Sequence, residues 1–201
     1  MAARLRCPPR PRSDRVVALL FDLDGTLLDT DPLHAAVFAQ IFAERGRPFG
    51  AGFYTDHIHG RANAEIFAEH FPEEDAAALA EEKEARFRAR LGARAEPTPG
   101  LGALLDRAEA AGWSTAVVTN APGVNARAML GALGLSERFG TLVHGDEGPR
   151  GKPDPWPYSE AMRRLSATPP ESIAFEDSRA GLASAATAGA LPVGIASTLP
   201  V

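Results

Sequence analysis

Apolar runs recur along the chain at positions that suit buried strands. The first spans residues 16–21, and similar runs follow at 114–119, 141–144, 172–175 and 191–195. Continuous apolar runs of this length are typical of strands buried on both faces of a parallel sheet. Helical stretches separate the runs from residue 96 onward. The pattern predicts an α/β fold with a doubly wound, Rossmann-like, mostly parallel five-stranded sheet.

The long stretch between the first and second runs has helical periodicity and no strand signal. A helix is predicted to begin with Asp31 as its N-cap and Pro32 at its first position, and to carry an apolar stripe. Two further helices are predicted over residues 62–70 and 74–91. Such an insertion after the first strand predicts a small α-helical cap.

These boundaries divide the chain into three parts. Residues 16–30 and 96–201 form the predicted α/β core domain, and residues 31–95 form the cap. Residues 1–15 hold five arginines and three prolines without apolar periodicity, which predicts a flexible basic arm. The chain ends soon after the fifth run, so we expect an active fold whose last strand is exposed and open to self-association.

Composition narrows the function classes. The 201 residues are 45% hydrophobic and carry a formal net charge of -5, which disfavours a nucleic acid as the main partner. Cys7 is the single cysteine, so no internal disulfide or cysteine metal cage is possible. No apolar run approaches the roughly 20 residues that a membrane span needs. We therefore predict a cytoplasmic protein, not membrane-bound, that is a monomer or a homodimer.

Two carboxylates follow the first strand in the sequence Phe21-Asp22-Leu23-Asp24-Gly25-Thr26. In an extended backbone Asp22 and Asp24 lie on the same side, so one can attack a phosphorus atom while the other transfers a proton. A calcium loop is the alternative, but leucines occupy positions 27 and 33, where an EF-hand needs Gly and Glu. The location at the end of a buried strand favours a catalytic pair.

Two carboxylates facing a phosphate require positive charge nearby, because like charges about 4 Å apart repel by roughly 4 kcal/mol at an effective dielectric near 20. Glu176 and Asp177 follow the fourth strand and offer oxygen ligands, which with no cysteine nearby indicate Mg²⁺. Alternatively, Asp177 or Ser178 serves as the N-cap of the next helix.

Lys152 in Gly-Lys-Pro-Asp-Pro is a candidate phosphate ligand, because this chain uses arginine almost everywhere and has only two lysines. Thr119 and Asn120 end the second strand, where a hydroxyl and backbone N–H groups can receive phosphate oxygens, although such pairs are also common turn formers. The other lysine, Lys83, lies in a Glu-rich helix and is expected to be a solvated partner of Glu82 or Glu84.

Taken in order, the segments FDLDGT, VVTN, GKPDP and AFEDS resemble the four signature motifs of the haloacid dehalogenase (HAD) superfamily. The resemblance implies that Asp22 is the nucleophile that forms an aspartyl-phosphate and that Asp24 protonates the leaving oxygen and then activates water. It also implies that Mg²⁺ is held by Asp22, the backbone carbonyl of Asp24 and Asp177, assisted by Glu176. Thr119, Asn120 and Lys152 would grip the transferred phosphoryl group.

The helical insertion and the segment from Asp29 to His34 further resemble the branch that contains phosphoglycolate phosphatase, sugar phosphatases and β-phosphoglucomutase. His34 matches a position that the mutase uses for acid-base chemistry, but it could equally pack under the cap. Arg61 or Asn63 could contact the far end of the substrate. The mutase-like branch would have a basic residue near Asn63, so binding of a second phosphate is in doubt.

Three hypotheses result. The first is a Mg²⁺-dependent phosphatase acting on a small phosphorylated metabolite, such as a sugar phosphate or a phosphoglycolate-like ester. The second is a β-phosphoglucomutase-like phosphosugar mutase. The third is a phosphate-sensing binding module without turnover, for which Asp22→Asn would leave the biological effect intact.

Overall fold

A five-stranded, fully parallel sheet forms the centre of the protein, as a computed structural model that describes residues 18–59 and 61–196 shows. The strands, in chain order, are β1 Ala18–Phe21, β2 Ser114–Val118, β3 Thr141–Val143, β4 Ser172–Glu176 and β5 Leu191–Gly194. Their order across the sheet is β3-β2-β1-β4-β5. Leu20 pairs with Ala116 on one side and with Ala174 on the other. The predicted doubly wound parallel sheet is confirmed.

Alternation along β1 divides the buried side chains between two layers. Leu19 and Phe21 face a cluster formed with helices α4 (Leu101–Ala111) and α5 (Gly123–Ala132). Ala18 and Leu20 face the opposite cluster, formed with α6 (Trp156–Leu165) and α7 (Arg179–Thr187). Because helices cover both faces, β1 is buried along its whole length, as its apolar sequence requires.

The insertion between β1 and β2 is helical. It comprises α1 (Asp31–Glu44), a π-helical turn (Tyr54–Ile58), α2 (Asn63–His70) and α3 (Ala76–Leu91). Its aromatic side chains pack closely, with ring centroids 4.9 Å apart for Phe42 and Phe71, and they join the same cluster as Leu19 and Phe21. Each fully buried phenylalanine contributes roughly 1.5–3 kcal/mol relative to exposure, so this packing stabilises the insertion against the sheet.

Both ends of the insertion meet at one place on the core. The Thr98 hydroxyl donates to the carbonyl of Thr26 at 2.7 Å, and the Thr98 N–H donates to the carbonyl of Leu27 at 2.8 Å. The outgoing segment after β1 and the returning segment before α4 are therefore held side by side.

The predicted start of α1 is wrong by one residue. Asp31 is the first helical residue and Thr30 is the N-cap, but the Thr30 side chain caps no helical N–H. Its hydroxyl donates to Asp24 instead, so this residue serves the strand end rather than the helix. Other starts follow capping rules: Asp75 accepts from two N–H groups of α3, and Ser178 accepts from Gly181 in α7.

Parts of the sequence-based predictions lie outside the described residues. These are the basic arm at 1–15, the first two positions of the predicted first strand, and residues 197–201. Leu191 at the start of the edge strand β5 has 61% of its surface exposed, in keeping with the expected exposed edge. None of the helices in the described ranges is long and apolar enough to cross a membrane.

The strand order fixes where ligands bind. From β1 the chain winds through β2 to β3, then crosses back to place β4 on the other side of β1. In open α/β sheets the crevice at such a reversal, at the carboxyl ends of the strands, is the usual ligand site. Here it lies between the ends of β1 and β4.

Candidate active site

One cavity of about 840 Å³ lies at this reversal, between the strand ends and the helical insertion. Nearly all the predicted site residues line it; these are Asp22, Asp24, His34, Arg61, Asn63, Thr119, Asn120, Lys152 and Asp177. Glu176 lies beneath the cavity wall and is fully buried. The structure thus brings together residues that are up to 155 positions apart, since Asp22 and Asp177 both line it.

Lys152 connects the ends of β1 and β4. Its Nζ donates to Asp22 Oδ1 at 2.6 Å and to Glu176 Oε1 at 2.5 Å. Burial acts to lower the pKa of Lys152, but the two carboxylates outweigh it and raise that pKa above its usual value. The ammonium therefore stays charged in the site, where it can neutralise a transferring phosphoryl group.

Three hydrogen bonds hold the carboxylate of Glu176 in place. Besides Lys152, its Oε1 accepts from the hydroxyl of Tyr158 at 2.6 Å, and its Oε2 accepts from the hydroxyl of Ser178 at 3.1 Å. Burial, followed by the charge of Glu176, raises the pKa of Tyr158 well above its usual value, so this hydroxyl remains a donor. Glu176 accordingly fixes the position of Lys152.

Asp22 keeps one oxygen available. Its Oδ2 is buried and accepts no hydrogen bond from the described residues, whereas Oδ1 is held by Lys152. Burial raises the pKa of Asp22 strongly; Lys152 opposes that shift, and Glu176 and Asp177 add to it. A cation at this position would relieve the repulsion.

The donor set suits a hard divalent cation. Asp22, Glu176 and Asp177 each offer one carboxylate oxygen within 4.8 Å of the others. A Cβ on Gly25 would lie 2.0 Å from Asp177 Oδ2, so only glycine lets the loop after β1 approach this carboxylate; its φ of 76° also favours glycine. Buried oxygen ligands with no sulfur fit Mg²⁺ rather than zinc.

Asp24 is placed by the start of the insertion. Its Oδ1 accepts from the Thr30 hydroxyl at 2.9 Å and lies 3.3 Å from His34 Nε2. Burial acts to raise the pKa of Asp24, but the hydrogen bonds and charge of His34, Thr30 and Lys83 together lower it. His34 also stacks on Phe87 with ring centroids 4.3 Å apart, so it packs within the insertion as well as contacting Asp24, and its acid-base role stays a prediction.

Asn120 has a use that the sequence did not indicate. Its side-chain Oδ1 accepts from the backbone N–H of Lys152 at 2.8 Å, and its Nδ2 donates to the Lys152 carbonyl at 3.1 Å. The amide therefore holds the lysine loop. Thr119 Oγ1 accepts from the Ala121 N–H at 3.0 Å, which shapes the turn after β2.

The expectation that Lys83 is solvated is wrong. Only 3% of Lys83 is exposed, its Nζ donates to Glu84 at 2.8 Å, and it lies over the rings of Phe38 and Phe87. The sequence held a signal for this, because Leu79, Lys83 and Phe87 recur every four residues on the buried stripe of α3. Lys83 therefore belongs to the cavity wall.

Glu84 is the centre of a polar network between the insertion and the core. Its Oε1 also accepts from Asn63 at 2.5 Å, and its Oε2 accepts from Asn125 on the core helix α5. Asn125 in turn accepts from Arg88 at 2.5 Å. Asn63 is thus bound to a carboxylate, and Arg61 likewise donates to Glu69 at 2.7 Å.

Sequence reasoning missed a second group on the insertion side of the cavity. Asp31 Oδ1 accepts from the Tyr54 hydroxyl at 3.0 Å, and Asp31 Oδ2 lies 3.4 Å from His59 Nε2. The hydrogen bond to Asp31 raises the pKa of His59, against an opposing effect of burial, and Asp177 adds to the rise. No local pattern marks these residues, because the π-helical turn brings them together.

The fold and this site are typical of one class of enzyme, hydrolases built on an open parallel sheet with helices on both faces. In this class a carboxylate pair and a lysine lie where the strand order reverses, and a helical insertion lies above them. A family model described as haloacid dehalogenase-like hydrolase matches residues 16–189. The chain belongs to that family, and the resemblance noted from the four motifs is confirmed.

Similar proteins agree with the family. The CbbY protein of Rhodobacter capsulatus is 34% identical, covering 86% of this chain and 82% of its own length. A phosphorylated carbohydrates phosphatase of Thermotoga maritima is 29% identical, covering 86% and 81%. A crystal structure of a CbbY variant from Rhodobacter sphaeroides with xylulose-(1,5)bisphosphate is 29% identical, with a TM-score of 0.78 and coverage of 88% and 84%.

Proposed function

We propose that this protein is a Mg²⁺-dependent phosphoric monoester hydrolase that acts on a small phosphorylated metabolite through an aspartyl-phosphate on Asp22. One observation carries the proposal: Asp22, Asp177 and Lys152 meet at the ends of β1 and β4, inside a cavity of metabolite size. Relatives whose names include phosphorylated carbohydrates phosphatase and phosphoglycolate phosphatase support it.

Mg²⁺ would be held by Asp22, Asp177 and the backbone carbonyl of Asp24. When bound, it supplies the positive charge that allows an anionic nucleophile to approach a phosphate dianion. Glu176 is proposed to assist this site through its position next to Asp177, although its own oxygens are bound by Lys152, Tyr158 and Ser178.

In the first step a carboxylate oxygen of Asp22 attacks phosphorus, the bond to the leaving oxygen breaks, and Asp24 donates the proton that the alcohol takes away. In the second step Asp24 takes a proton from water, which attacks the aspartyl-phosphate and releases phosphate. The lowered pKa of Asp24 suits the second step. For the first step Asp24 must carry a proton, and His34 Nε2 at 3.3 Å is placed to supply it. Thr119, Asn120 and Lys152 are proposed to bind the phosphoryl group, Asn120 by holding the lysine loop.

A phosphosugar mutase is the second candidate. The contact of His34 with Asp24 favours it, because a mutase must manage protons on a second substrate hydroxyl. With a hexose 1-phosphate, a mutase yields the 6-phosphate, whereas a phosphatase yields the uncharged sugar and inorganic phosphate.

The experiment is a measurement of phosphate release from sugar phosphates and glycolyl phosphate, with Mg²⁺ and with a chelator. We expect turnover that needs Mg²⁺ and falls by several orders of magnitude in Asp22→Asn, because the covalent route is lost. An unchanged rate in that variant would rule out Asp22 as the nucleophile. If a well-folded protein hydrolyses no ester at all, the binding-module hypothesis replaces the enzymatic one.

A further inference from the structure

The wall of the cavity opposite the phosphoryl site determines which leaving group fits. This wall is built by the insertion, and its basic side chains are Arg61, Lys83 and His59. A substrate with a second phosphate or a carboxylate would need at least one of these cations to be available. The pairing of each one therefore decides the class of substrate.

Each of the three cations is already bound to a carboxylate. Lys83 Nζ donates to Glu84 at 2.8 Å and Arg61 donates to Glu69 at 2.7 Å. His59 Nε2 lies 3.4 Å from Asp31. In the part of the chain that the structure describes, no lysine or arginine on this wall lacks an acidic partner. Arg88, nearby, is turned to Asn125.

Carboxylates also outnumber lysine and arginine side chains around the cavity as a whole. Near the sheet Lys152 restores the balance, and a bound divalent cation would add to it. At the insertion wall Glu84 offsets Lys83 and Asp31 offsets His59, so the described residues of this wall offer no surplus of positive charge. An anionic group placed there would lose its hydration and would meet a carboxylate, Glu84 or Asp31, beside each of these cations, so it would gain little net attraction in return.

The same wall is well supplied for hydroxyl groups. The Asn63 amide, the Tyr54 hydroxyl and the carboxylates of Asp31 and Glu84 line the cavity, where Tyr54 donates to Asp31 and Asn63 donates to Glu84. A carboxylate oxygen can accept a further hydrogen bond and an amide carries two N–H groups, so these residues can still bond to a substrate hydroxyl. Phe38 and Phe87 add apolar surface. Mixed polar groups with aromatic faces are suited to an uncharged polyhydroxy compound.

We propose that the leaving group is an uncharged polyol or sugar, so that the enzyme hydrolyses monophosphates of neutral compounds and discriminates against bisphosphates and phosphocarboxylates. This inference rests on the proposed phosphatase function and narrows it. It separates the chain from the relative whose crystal structure contains xylulose-(1,5)bisphosphate. Glu84 is the specificity-determining residue, because it neutralises the buried Lys83 and is itself held by Asn63 and Asn125.

The test compares ester pairs that differ only in the charge of the leaving group. In the first pair, 2-hydroxyethyl phosphate has a neutral hydroxymethyl group where 2-phosphoglycolate has a carboxylate. In the second pair, fructose 1,6-bisphosphate has one phosphate more than fructose 6-phosphate. With Mg²⁺ present, we expect kcat/KM of the native enzyme to be at least about tenfold higher for the neutral member of each pair, mainly through KM. Equal or higher kcat/KM for the anionic members would overturn the inference.

Glu84→Gln tests the assigned residue. It removes the carboxylate that pairs with Lys83 and leaves the ammonium to be matched by an anionic substrate group, so the preference for the neutral member should shrink by about tenfold. Glu81→Gln, an exposed position on the same helix, is the matched control and should keep the native ratio. If Glu84→Gln does not fold, Glu69→Gln takes its place. It removes the partner of Arg61 in an exposed ion pair, so it should shift the ratio in the same direction.

The outcomes separate the two proposals. An unchanged ratio in folded Glu84→Gln would refute the role of Glu84. Turnover of the anionic esters as the best substrates would refute the neutral leaving group while leaving the phosphatase function in place. No turnover of any ester by the native enzyme would refute the proposed function and this inference with it.

Discussion

The two carboxylate oxygens of Asp22 have different surroundings. Lys152 occupies Oδ1, whereas Oδ2 is buried and accepts no bond from the residues described. A buried carboxylate oxygen without a partner is unfavourable by about 1–3 kcal/mol, so a protein retains it where it has a function. Burial and the nearby carboxylates of Glu176 and Asp177 raise the pKa of Asp22, so a cation bound beside them would favour its charged form.

Asp31 and His59 allow a residue-level prediction about charge. The pKa of His59 is raised and that of Asp31 is lowered, chiefly by their mutual hydrogen bond. The ion pair is therefore lost as pH rises through the raised pKa of His59, and also as pH falls through the lowered pKa of Asp31. NMR titration of the imidazole should give a pKa above the ordinary value of about 6.5.

Asp31→Asn should return the pKa of His59 towards that ordinary value, because the amide cannot stabilise the imidazolium. A His59 titration that is the same in both proteins would show that Asp31 does not hold this histidine in solution.

At the scale of elements, helix α7 depends on a glycine where propensity alone would favour alanine. A Cβ on Gly181 would lie 1.9 Å from the carboxyl carbon of Glu176, which is fully buried. The glycine thus lets the first turn of α7 pack against the carboxylate that holds Lys152.

Gly181→Ala should destabilise the protein by about 1–3 kcal/mol in urea unfolding, because the added methyl displaces Glu176. Gly131→Ala is the control, since it lies within α5 with no atom within 4 Å of the new Cβ. That change should stabilise by up to about 1 kcal/mol through helix propensity. Equal effects at the two sites would mean that Glu176 moves without loss.

The sheet and the strand-end residues were predictable because their signals are local. Each apolar run gives a strand, and parallel strands bring their polar carboxyl ends to one edge, so Asp22 and Asp177 follow from order alone. The two bonds between Asn120 and the Lys152 backbone were not predictable, since they depend on how two distant loops approach. The π-helical turn that ends at Ile58, just before His59, has no periodic signal.

For the whole molecule, the acidic centre between β1 and β4 predicts a coupling between cation binding and stability. A ligand that binds only the folded state adds about 2.7 kcal/mol at a concentration 100 times its Kd, which corresponds to a rise in Tm of several degrees. Thermal unfolding should therefore shift upward on adding Mg²⁺ and return on chelation.

Asp177→Asn is the informative variant for this measurement. It removes one of the three carboxylates that could hold the cation, so its Mg²⁺ response should be largely lost. A full response in this variant would place the cation elsewhere.

A cytoplasmic location and a monomeric or homodimeric state stay predictions from the sequence.

The bonds from Thr98 to the carbonyls of Thr26 and Leu27 bring the two ends of the insertion to a single junction with the core. Apart from His34, the groups proposed to act on phosphorus belong to the core. The wall that would face the leaving group belongs to the insertion. Exchanging the insertion between relatives would transfer substrate selectivity from one enzyme to another. The core groups proposed to act on phosphorus would keep their positions. Diversification of substrates within this fold thus needs only two crossover points, close together in space.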